Sequence, residues 1–251
     1  MKKSILVFLL LCTSAFGSFS ASAYEKGDML LRLGAVLIEP QEKSDPLSIS
    51  NPPIGSLDPI LGAKTGLGVG NAWNLAGTFS YILNNNWGIE TVIGLPVEMD
   101  VTAAGLGALG IEDVATINIL PITVSLQYYF DMGDSPFQPY AGFGFNYAYI
   151  GNIKLDDSVQ TNLMATDVDF SFDDSFGFVL NTGVDWKINE KWFANASIYY
   201  LTLETDVEAD ISQSVALGVL TTGFPVPVDA TLETSVKANT FIYFITAGYR
   251  F

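Results

Sequence analysis

The sequence contains no histidine and a single cysteine, and only 15% of its 251 residues are charged. Soluble proteins average about 25% charged residues, so this protein has little charge to present to water. Without histidine, catalysis would depend on carboxylates, hydroxyls or lysine. Basic residues are also scarce, with 11 Lys and Arg against 27 Asp and Glu. This imbalance argues against a nucleic-acid partner, because phosphate contacts need a basic surface.

The single cysteine, Cys12, lies in a segment with the features of a secretory signal peptide. Lys2-Lys3 forms a basic start, an apolar run follows, and Ala21-Ser22-Ala23 resembles a cleavage site. We therefore predict a signal peptide at residues 1–23 and a mature domain at residues 24–251. The mature domain has no cysteine and so no disulfide framework.

The mature segment has no run of 18 consecutive apolar residues, so the sequence predicts no transmembrane helix. Its apolar residues instead alternate with polar or small ones. The clearest alternation is the terminal series Phe241, Tyr243, Ile245, Ala247, Tyr249 and Phe251. Successive side chains of a strand point to opposite faces, so this series predicts a strand with one apolar face.

The same alternation recurs along the chain and predicts eight strands. They cover residues 31–37, 75–81, 87–95, 122–130, 141–149, 176–186, 194–200 and 241–251. Short turns at 84–86, 131–136 and 189–191 alternate with longer, acidic loops at roughly 40–72, 101–112, 152–174 and 208–230. The pattern predicts an all-β fold, an eight-stranded antiparallel transmembrane β-barrel with short periplasmic turns and long extracellular loops.

Aromatic residues near the strand ends predict an interfacial girdle on the short-turn side. They are Tyr81, Trp87, Tyr128, Phe130, Trp186, Trp192, Tyr249 and Phe251. The alternative is a secreted soluble β-sandwich, which could bury one apolar face against a second sheet. The aromatic content of every outward face favours the barrel.

Charged and polar residues fall at the inward parity near the short-turn ends of the strands. They are Arg32, Glu90, Gln127, Asp185 and Arg250. An eight-stranded barrel is just wide enough for side chains or one small ligand, and charges facing its interior must pair or meet water. We predict that the two arginines pair with the two carboxylates in a structural polar plug in the periplasmic half. No catalytic pocket is indicated beside it.

Nearer the long loops, the inward parity is apolar or aromatic. The predicted lining consists of Val36, Ile38, Val92, Pro96, Pro121, Tyr199, Leu201 and Ile242. Two interpretations remain open, an apolar funnel for a hydrophobic solute and ordinary filling of a narrow barrel. Pro96 and Pro121 lie in strands that are neighbours in sequence, and proline cannot donate to a ladder. They predict a gap in the barrel wall through which a solute could leave into the lipid.

The acidic loops could in principle supply oxygen ligands for Ca²⁺. Asp156-Asp157, Asp167, Asp169 and Asp173-Asp174 do not follow the ordered spacing of a calcium loop. The sequence therefore favours solvated loops and predicts no metal or other cofactor. We also expect a short helix around residues 156–166.

Several segments, in order and over essentially the whole mature chain, resemble the OmpW family of Gram-negative outer-membrane proteins. They include Leu31-Arg32-Leu33-Gly34, Thr78-Phe79-Ser80-Tyr81, Trp87-Gly88-Ile89-Glu90, residues 139–147, Gly183-Val184-Asp185-Trp186 and residues 247–251. The resemblance implies an eight-stranded barrel whose narrow apolar channel takes up small hydrophobic molecules and releases them laterally. A leucine and a tryptophan that touch bound detergent in that family align with Val92 and Tyr199.

We therefore expect a non-enzymatic channel of the Gram-negative outer membrane for passive uptake of small hydrophobic molecules. Its partners would be outer-membrane lipid and the solutes themselves, with no nucleic acid. The alternative is a structural or surface-interaction barrel with a filled lumen, whose loops bind a host, phage or bacteriocin, as the resemblance implies for some members. A hydrolase is a third alternative, but the usual serine nucleophile with a histidine base is missing. The natural solute, the direction of transport and the oligomeric state are left open.

Overall fold

A computed structural model describes residues 24–251, so the predicted signal peptide and Cys12 lie outside the described residues. Over this range the chain forms the strands β1 (Met29–Ser44), β2 (Ser48–Asn51), β3 (Gly55–Ser56), β4 (Gly66–Val69), β5 (Ala72–Ile82), β6 (Trp87–Gly94), β7 (Val97–Ala104), β8 (Asp113–Tyr129), β9 (Phe137–Leu155), β10 (Asp167–Phe172), β11 (Ser175–Lys187), β12 (Trp192–Leu201), β13 (Glu204–Ser214) and β14 (Val228–Arg250). The helices are α1 (Asp58–Leu61), α2 (Asp157–Leu163) and α3 (Val215–Thr222), with a 3₁₀ turn at Gly107–Leu109.

Eight of these strands close into a ring. They pair in the order β1-β5-β6-β8-β9-β11-β12-β14, and β14 pairs back to β1 from Leu30↔Arg250 to Ser44↔Val236. Neighbouring strands of the ring are antiparallel throughout. Closure gives every strand of the ring a partner on each side, so no strand of the ring is an edge strand. The predicted eight-stranded antiparallel barrel is confirmed.

The two ends of the barrel differ. One end, called the short-turn end, carries the tight connections β5–β6, β8–β9 and β11–β12 as well as the start of β1 and the end of β14. At the other, long-loop end, β7 pairs with β8 and β4, while β13 pairs with β14 and β10. These added strands lengthen the wall beyond the ring.

The predicted loop boundaries are therefore partly wrong, because residues 101–104, 167–172 and 208–214 of those loops lie in the strands β7, β10 and β13. In β7 and β13 the inward residues are apolar and the outward residues are mostly acidic. Val97, Met99 and Val101 are buried, whereas Glu98 and Asp100 are exposed. An apolar outer face was the signal for a strand in the sequence, so strands with a charged outer face were not predicted.

The outer face of the ring is apolar and exposed. Trp73 and Leu75 on β5 are 73% and 72% exposed, and the large side chains of the neighbouring strands continue this belt. At the short-turn end, Trp87 packs against Tyr128 and Trp192 against Tyr249, with ring centroids 4.9 Å apart in each pair. A contiguous apolar belt with an aromatic border matches the lipid-facing surface of a transmembrane barrel.

Short helices occur only at the long-loop end of the described chain. The expected helix near 156–166 is present as α2, and the side chain of Asp156 caps it by accepting from the Ser158 amide at 2.8 Å. Within residues 24–251, no helix has the length and hydropathy needed to cross a membrane.

Candidate functional site

Arg32 lies at the centre of a buried polar cluster in the short-turn half of the lumen. Its Nε and Nη2 donate to the two carboxylate oxygens of Asp185 at 3.0 and 2.7 Å. Its Nη1 donates to Glu90 Oε2 at 2.9 Å and to Ser80 Oγ at 2.7 Å. All four side chains are at most 1% exposed. The predicted pairing of Arg32 with both carboxylates is present.

Further donors complete the hydrogen bonding of the two carboxylates. Glu90 accepts from Gln127 Nε2 at 2.9 Å and from the hydroxyl of Tyr199. Asp185 accepts from Asn195 Nδ2 at 2.8 Å and from the Tyr24 hydroxyl at 2.7 Å. Charge-assisted bonds of this kind are roughly twice as strong as neutral ones, and a connected network of them holds its members in one arrangement.

A layer of apolar and aromatic side chains closes the lumen below this cluster, toward the short-turn end. Its members are Tyr24, Leu30, Ile82, Tyr129, Tyr140 and Phe193. The rings of Tyr140 and Phe193 also lie 5.2 and 5.4 Å from the Arg32 guanidinium carbon, within cation–π range. The Arg32 cluster and this layer together seal the short-turn half.

The prediction that Arg250 joins the plug is wrong. Arg250 lies opposite Leu30, one inward position nearer the short-turn end than Arg32. There its Nε pairs with Asp28 Oδ2 at 2.8 Å, and both side chains are partly exposed. Parity identified the inward face correctly, but the distance along the strand places Arg250 at the rim.

An apolar cavity lies in the long-loop half. Its volume is about 70 Å³, counted over the positions available to the centre of a water molecule. The lining includes four of the predicted residues, Ile38, Pro121, Leu201 and Ile242, together with residues of the added strands such as Leu67 and Met99. A single water needs about 10–15 Å³ on this measure, so the cavity has room for a small solute.

The other predicted lining residues lie elsewhere. Val36 and Tyr199 are buried in the surrounding apolar cluster, and Val92 packs against that cluster. The Tyr199 hydroxyl bonds Glu90, so this residue belongs to the Arg32 cluster as well. Pro96 is exposed in the two-residue break between β6 and β7, so the prediction that it faces the lumen is wrong. The alternation on which that prediction rested ends with β6 at Gly94.

The backbone ladder is interrupted beside the cavity. Pairing between β6 and β8 ends at Thr91↔Val124, and pairing between β7 and β8 begins at Val97↔Ile119. In the interval, the Val92 amide donates to the side chain of Thr123, at 3.1 Å, instead of to the backbone of β8. We call residues 92–96 together with the facing residues 120–123 the wall gap.

The long-loop end above the cavity is covered by loops. A second apolar cavity of about 40 Å³ lies there, lined by residues that include Leu106, Val159, Leu163 and Leu217, and it shares Leu67 with the first. The first loop is fastened by Asp58, whose carboxylate accepts from the Thr65 hydroxyl and amide at 2.6 and 2.7 Å. These hydrogen bonds lower the pKa of Asp58 below its usual value.

Parts of this site were missed in the sequence. Ser80 and Asn195 join the Arg32 cluster from inward positions that the alternation could have identified. Tyr24 precedes the first strand, where no periodicity locates it. Leu67 lies in a segment that was assigned to a loop, and Met99 lies between the predicted strand 87–95 and the predicted loop 101–112. Among residues 24–251, no three Asp, Glu, His or Cys side chains gather in a way that could hold a metal ion.

Comparison with known proteins covers nearly the whole chain. The model of the OmpW family matches residues 25–251. Outer membrane protein W of Vibrio cholerae is 30% identical over 254 residues, which cover 100% of both chains. The crystal structure of the outer membrane protein OprG from Pseudomonas aeruginosa is 28% identical with a TM-score of 0.74, covering 93% of this chain and 99% of that one. Dibenzothiophene metabolism operon protein PahQ of Pseudomonas aeruginosa is 30% identical over 128 residues, 51% of this chain and 55% of its own length.

Proposed function

Because this chain belongs to the OmpW family and is a β-barrel of the Gram-negative outer membrane, we propose that it is a passive channel for small hydrophobic molecules. The observation that carries this proposal is the position of the apolar cavity. The cavity lies above the buried Arg32 cluster, which we call the polar floor, and beside the wall gap. A solute that enters from the long-loop side thus has an apolar space to occupy and a nearby route into lipid.

The floor argues against a straight route to the periplasm. A solute moving along the axis would have to separate Arg32 from Glu90 and Asp185, all of which are buried. Breaking a buried ion pair costs about 3–5 kcal/mol when one partner is left alone. The exposed side chains at the wall gap, Ile93, Leu95 and Ile122, are apolar, so lateral passage needs no desolvation of charge.

The solute class follows from the lining. The cavity wall consists almost entirely of aliphatic and other apolar side chains and has no charged group. Ions would lose their hydration there without compensation, whereas apolar molecules would not. The name of PahQ associates that relative with the metabolism of dibenzothiophene, an apolar aromatic compound, which supports the same class of solute. The proposed function includes no chemical step.

A reversible cross-link across the wall gap tests the proposal. Cys12 is the only cysteine of the sequence and lies in the predicted signal peptide, so a pair introduced as Val92→Cys and Thr123→Cys would be unique in the mature chain. In cells that lack the native protein, we expect the reduced variant to support uptake of radiolabelled naphthalene. Oxidation should lower that uptake to the level of cells without the protein, and reduction should restore it.

The matched control is Ile89→Cys with Leu126→Cys, which bridges the same two strands where they are already paired. Its uptake should not respond to oxidation. Equal uptake with and without the protein would contradict a channel function. Uptake that depends on the protein but not on the cross-link would contradict only the lateral route.

A surface-interaction barrel is the second candidate. The loops that cover the long-loop end of the lumen favour it. Loop residues such as Leu163 and Leu217 pack over the lumen, and the upper cavity is only about 40 Å³. A filled lumen with loops presented to a host, phage or bacteriocin would need no wall gap. Uptake that is the same with and without the protein in the experiment above is the result that would favour this candidate.

A further inference from the structure

Buried polar atoms without partners lie in the middle of the lumen. Both amide atoms of Asn146 are buried and make no hydrogen bond within the described chain, and the same holds for Gln127 Oε1 and Asn181 Oδ1. Asn146 and Gln127 are 0% exposed and Asn181 is 6% exposed. Leaving a buried polar group unpaired costs about 1–3 kcal/mol, so native proteins rarely keep several in one place without a partner.

These side chains lie between the apolar cavity and the Arg32 cluster. Asn146 is the next inward residue of β9 below Ala148, which lines the cavity. It also pairs across the ladder with Thr123, the residue whose hydroxyl accepts from the Val92 amide at the wall gap. Asn146 therefore lies at the cavity floor, beside the proposed exit.

The two unpaired oxygens, Gln127 Oε1 and Asn181 Oδ1, continue the polar patch from Asn146 toward the Arg32 cluster. Both approach Gly142, where a Cβ atom would meet Gln127 Oε1 at 2.3 Å and Asn181 Oδ1 at 2.5 Å. Their amide nitrogens are already engaged, since Gln127 donates to Glu90 and Ser125 and Asn181 donates to Ser125. The oxygens are thus held in place as free acceptors.

We propose that Asn146 is a binding residue for the polar head of a small amphipathic solute whose apolar tail occupies the cavity. The proposal rests on the proposed channel function and narrows its substrate class. The Asn146 amide offers an NH2 group that donates and a carbonyl oxygen that accepts, so it suits a neutral head such as a hydroxyl, which can donate and accept. A charged head is disfavoured because the cavity supplies no opposite charge.

The role of Asn146 explains how an apolar space could position its solute. An alkane can occupy the cavity in any orientation, whereas an alcohol anchored at Asn146 keeps its head at the floor and its tail toward the long-loop side. The head then lies next to the wall gap, because Asn146 is opposite Thr123. A single additional hydrogen bond corresponds to roughly five- to tenfold tighter binding.

Solution NMR of the protein in lipid nanodiscs tests the proposal with 1-hexanol and n-hexane as probes. Methyl signals of the cavity residues Ala148 and Ile242 report occupancy of the apolar space. The side-chain amide signal of Asn146, assigned by its loss in Asn146→Leu, reports the head. We expect both probes to shift the methyl signals saturably and only 1-hexanol to shift the Asn146 amide.

The variant Asn146→Leu has nearly the same shape and removes the unpaired amide, so it should fold at least as well as the parent. It should bind n-hexane normally and lose the roughly five- to tenfold preference for 1-hexanol. Asn74→Leu is the matched control, because Asn74 is also an inward amide but already bonds the Leu75 nitrogen. Its preference should be unchanged.

Three outcomes would decide the matter. Loss of the preference for 1-hexanol in Asn146→Leu, but not in Asn74→Leu, supports the anchor. If both probes occupy the cavity with equal affinity and Asn146→Leu changes nothing, the anchor is refuted, while the channel function survives. If neither probe shifts the Ala148 and Ile242 methyls, the cavity takes no solute, and both the anchor and the proposed function are refuted.

Discussion

Side chains alternate between inward and outward positions in both halves of the barrel, but the polar residues point inward in one half and outward in the other. In the short-turn half, β1 points Leu33 and Ala35 outward and Arg32 inward. In the long-loop half, β13 points Asp206, Glu208 and Asp210 outward and Val207 and Ala209 inward. The environment outside the wall therefore changes from lipid to water along the barrel, while the contents of the lumen change from polar to apolar.

This reversal shows what each half does. Lipid requires an apolar exterior, so the polar side chains of the short-turn half are directed inward and must satisfy one another there. Above the membrane, water solvates the acidic exterior, and the apolar side chains collect inside. An apolar space thus forms in the half that faces the surroundings, and a polar floor forms beneath it.

The largest effect is expected from removing the central cation of the floor. Arg32→Met leaves Glu90 and Asp185 buried without their shared partner. Loss of one member of a buried pair costs about 3–5 kcal/mol. We expect the free energy of unfolding, measured by urea titration in lipid vesicles, to fall by that amount.

Arg250→Met is the control for this prediction. Arg250 also pairs with a carboxylate, Asp28, but at the partly exposed rim. An ion pair in contact with solvent contributes about 1 kcal/mol or less. If Arg32→Met lowers the free energy of unfolding no more than Arg250→Met does, the polar floor is hydrated and not sealed.

The reversal also explains how far the sequence could predict the fold. The ring strands were found because lipid gives them an apolar outer face, as in the series that contains Tyr243 and Ile245. The added strands β7 and β13 keep the same period, but they were not predicted because their outward residues, such as Glu98 and Asp206, are acidic instead of apolar. A test of periodicity that ignored which face was charged would have found them.

The site was predictable to a smaller extent. Parity correctly gave the inward face for Arg32, Glu90 and Asp185, and charge balance then gave their pairing. Sequence alone does not supply the stagger between strands, and for that reason Arg250 was placed in the cluster. The orphan amide of Asn146 is a property of packing, since it depends on which neighbours already bond to one another.

A single charge placed on the outer face of each half should sharpen the comparison. Ile245→Arg puts a guanidinium on the apolar belt, where the parent side chain is 67% exposed. Arginine at the lipid midplane of a barrel costs about 2–4 kcal/mol. Thr102→Arg adds the same group to an exposed outward position of β7 in the other half, where a surface change costs about 0.5 kcal/mol or less. Urea unfolding in vesicles measures both, and similar losses would contradict a boundary between lipid and water along the wall.

The smallest effect concerns the cover of the long-loop half and its dependence on pH. Hydrogen bonds from Thr65 lower the pKa of Asp58 in the folded chain. The ionised Asp58 carboxylate therefore stabilises the first loop fully above its unfolded pKa of about 3.9, and this contribution is lost as the pH falls through the lower folded pKa.

The Thr65 hydroxyl also accepts from the Leu47 amide at 2.9 Å, so protonation of Asp58 should disturb Leu47, which lines the upper cavity. We expect the amide NMR signals of Thr65 and Leu47 to move together below about pH 4, and to stay constant in Asp58→Asn, which keeps an acceptor but cannot titrate. Equal movement in that variant would assign the transition to another carboxylate.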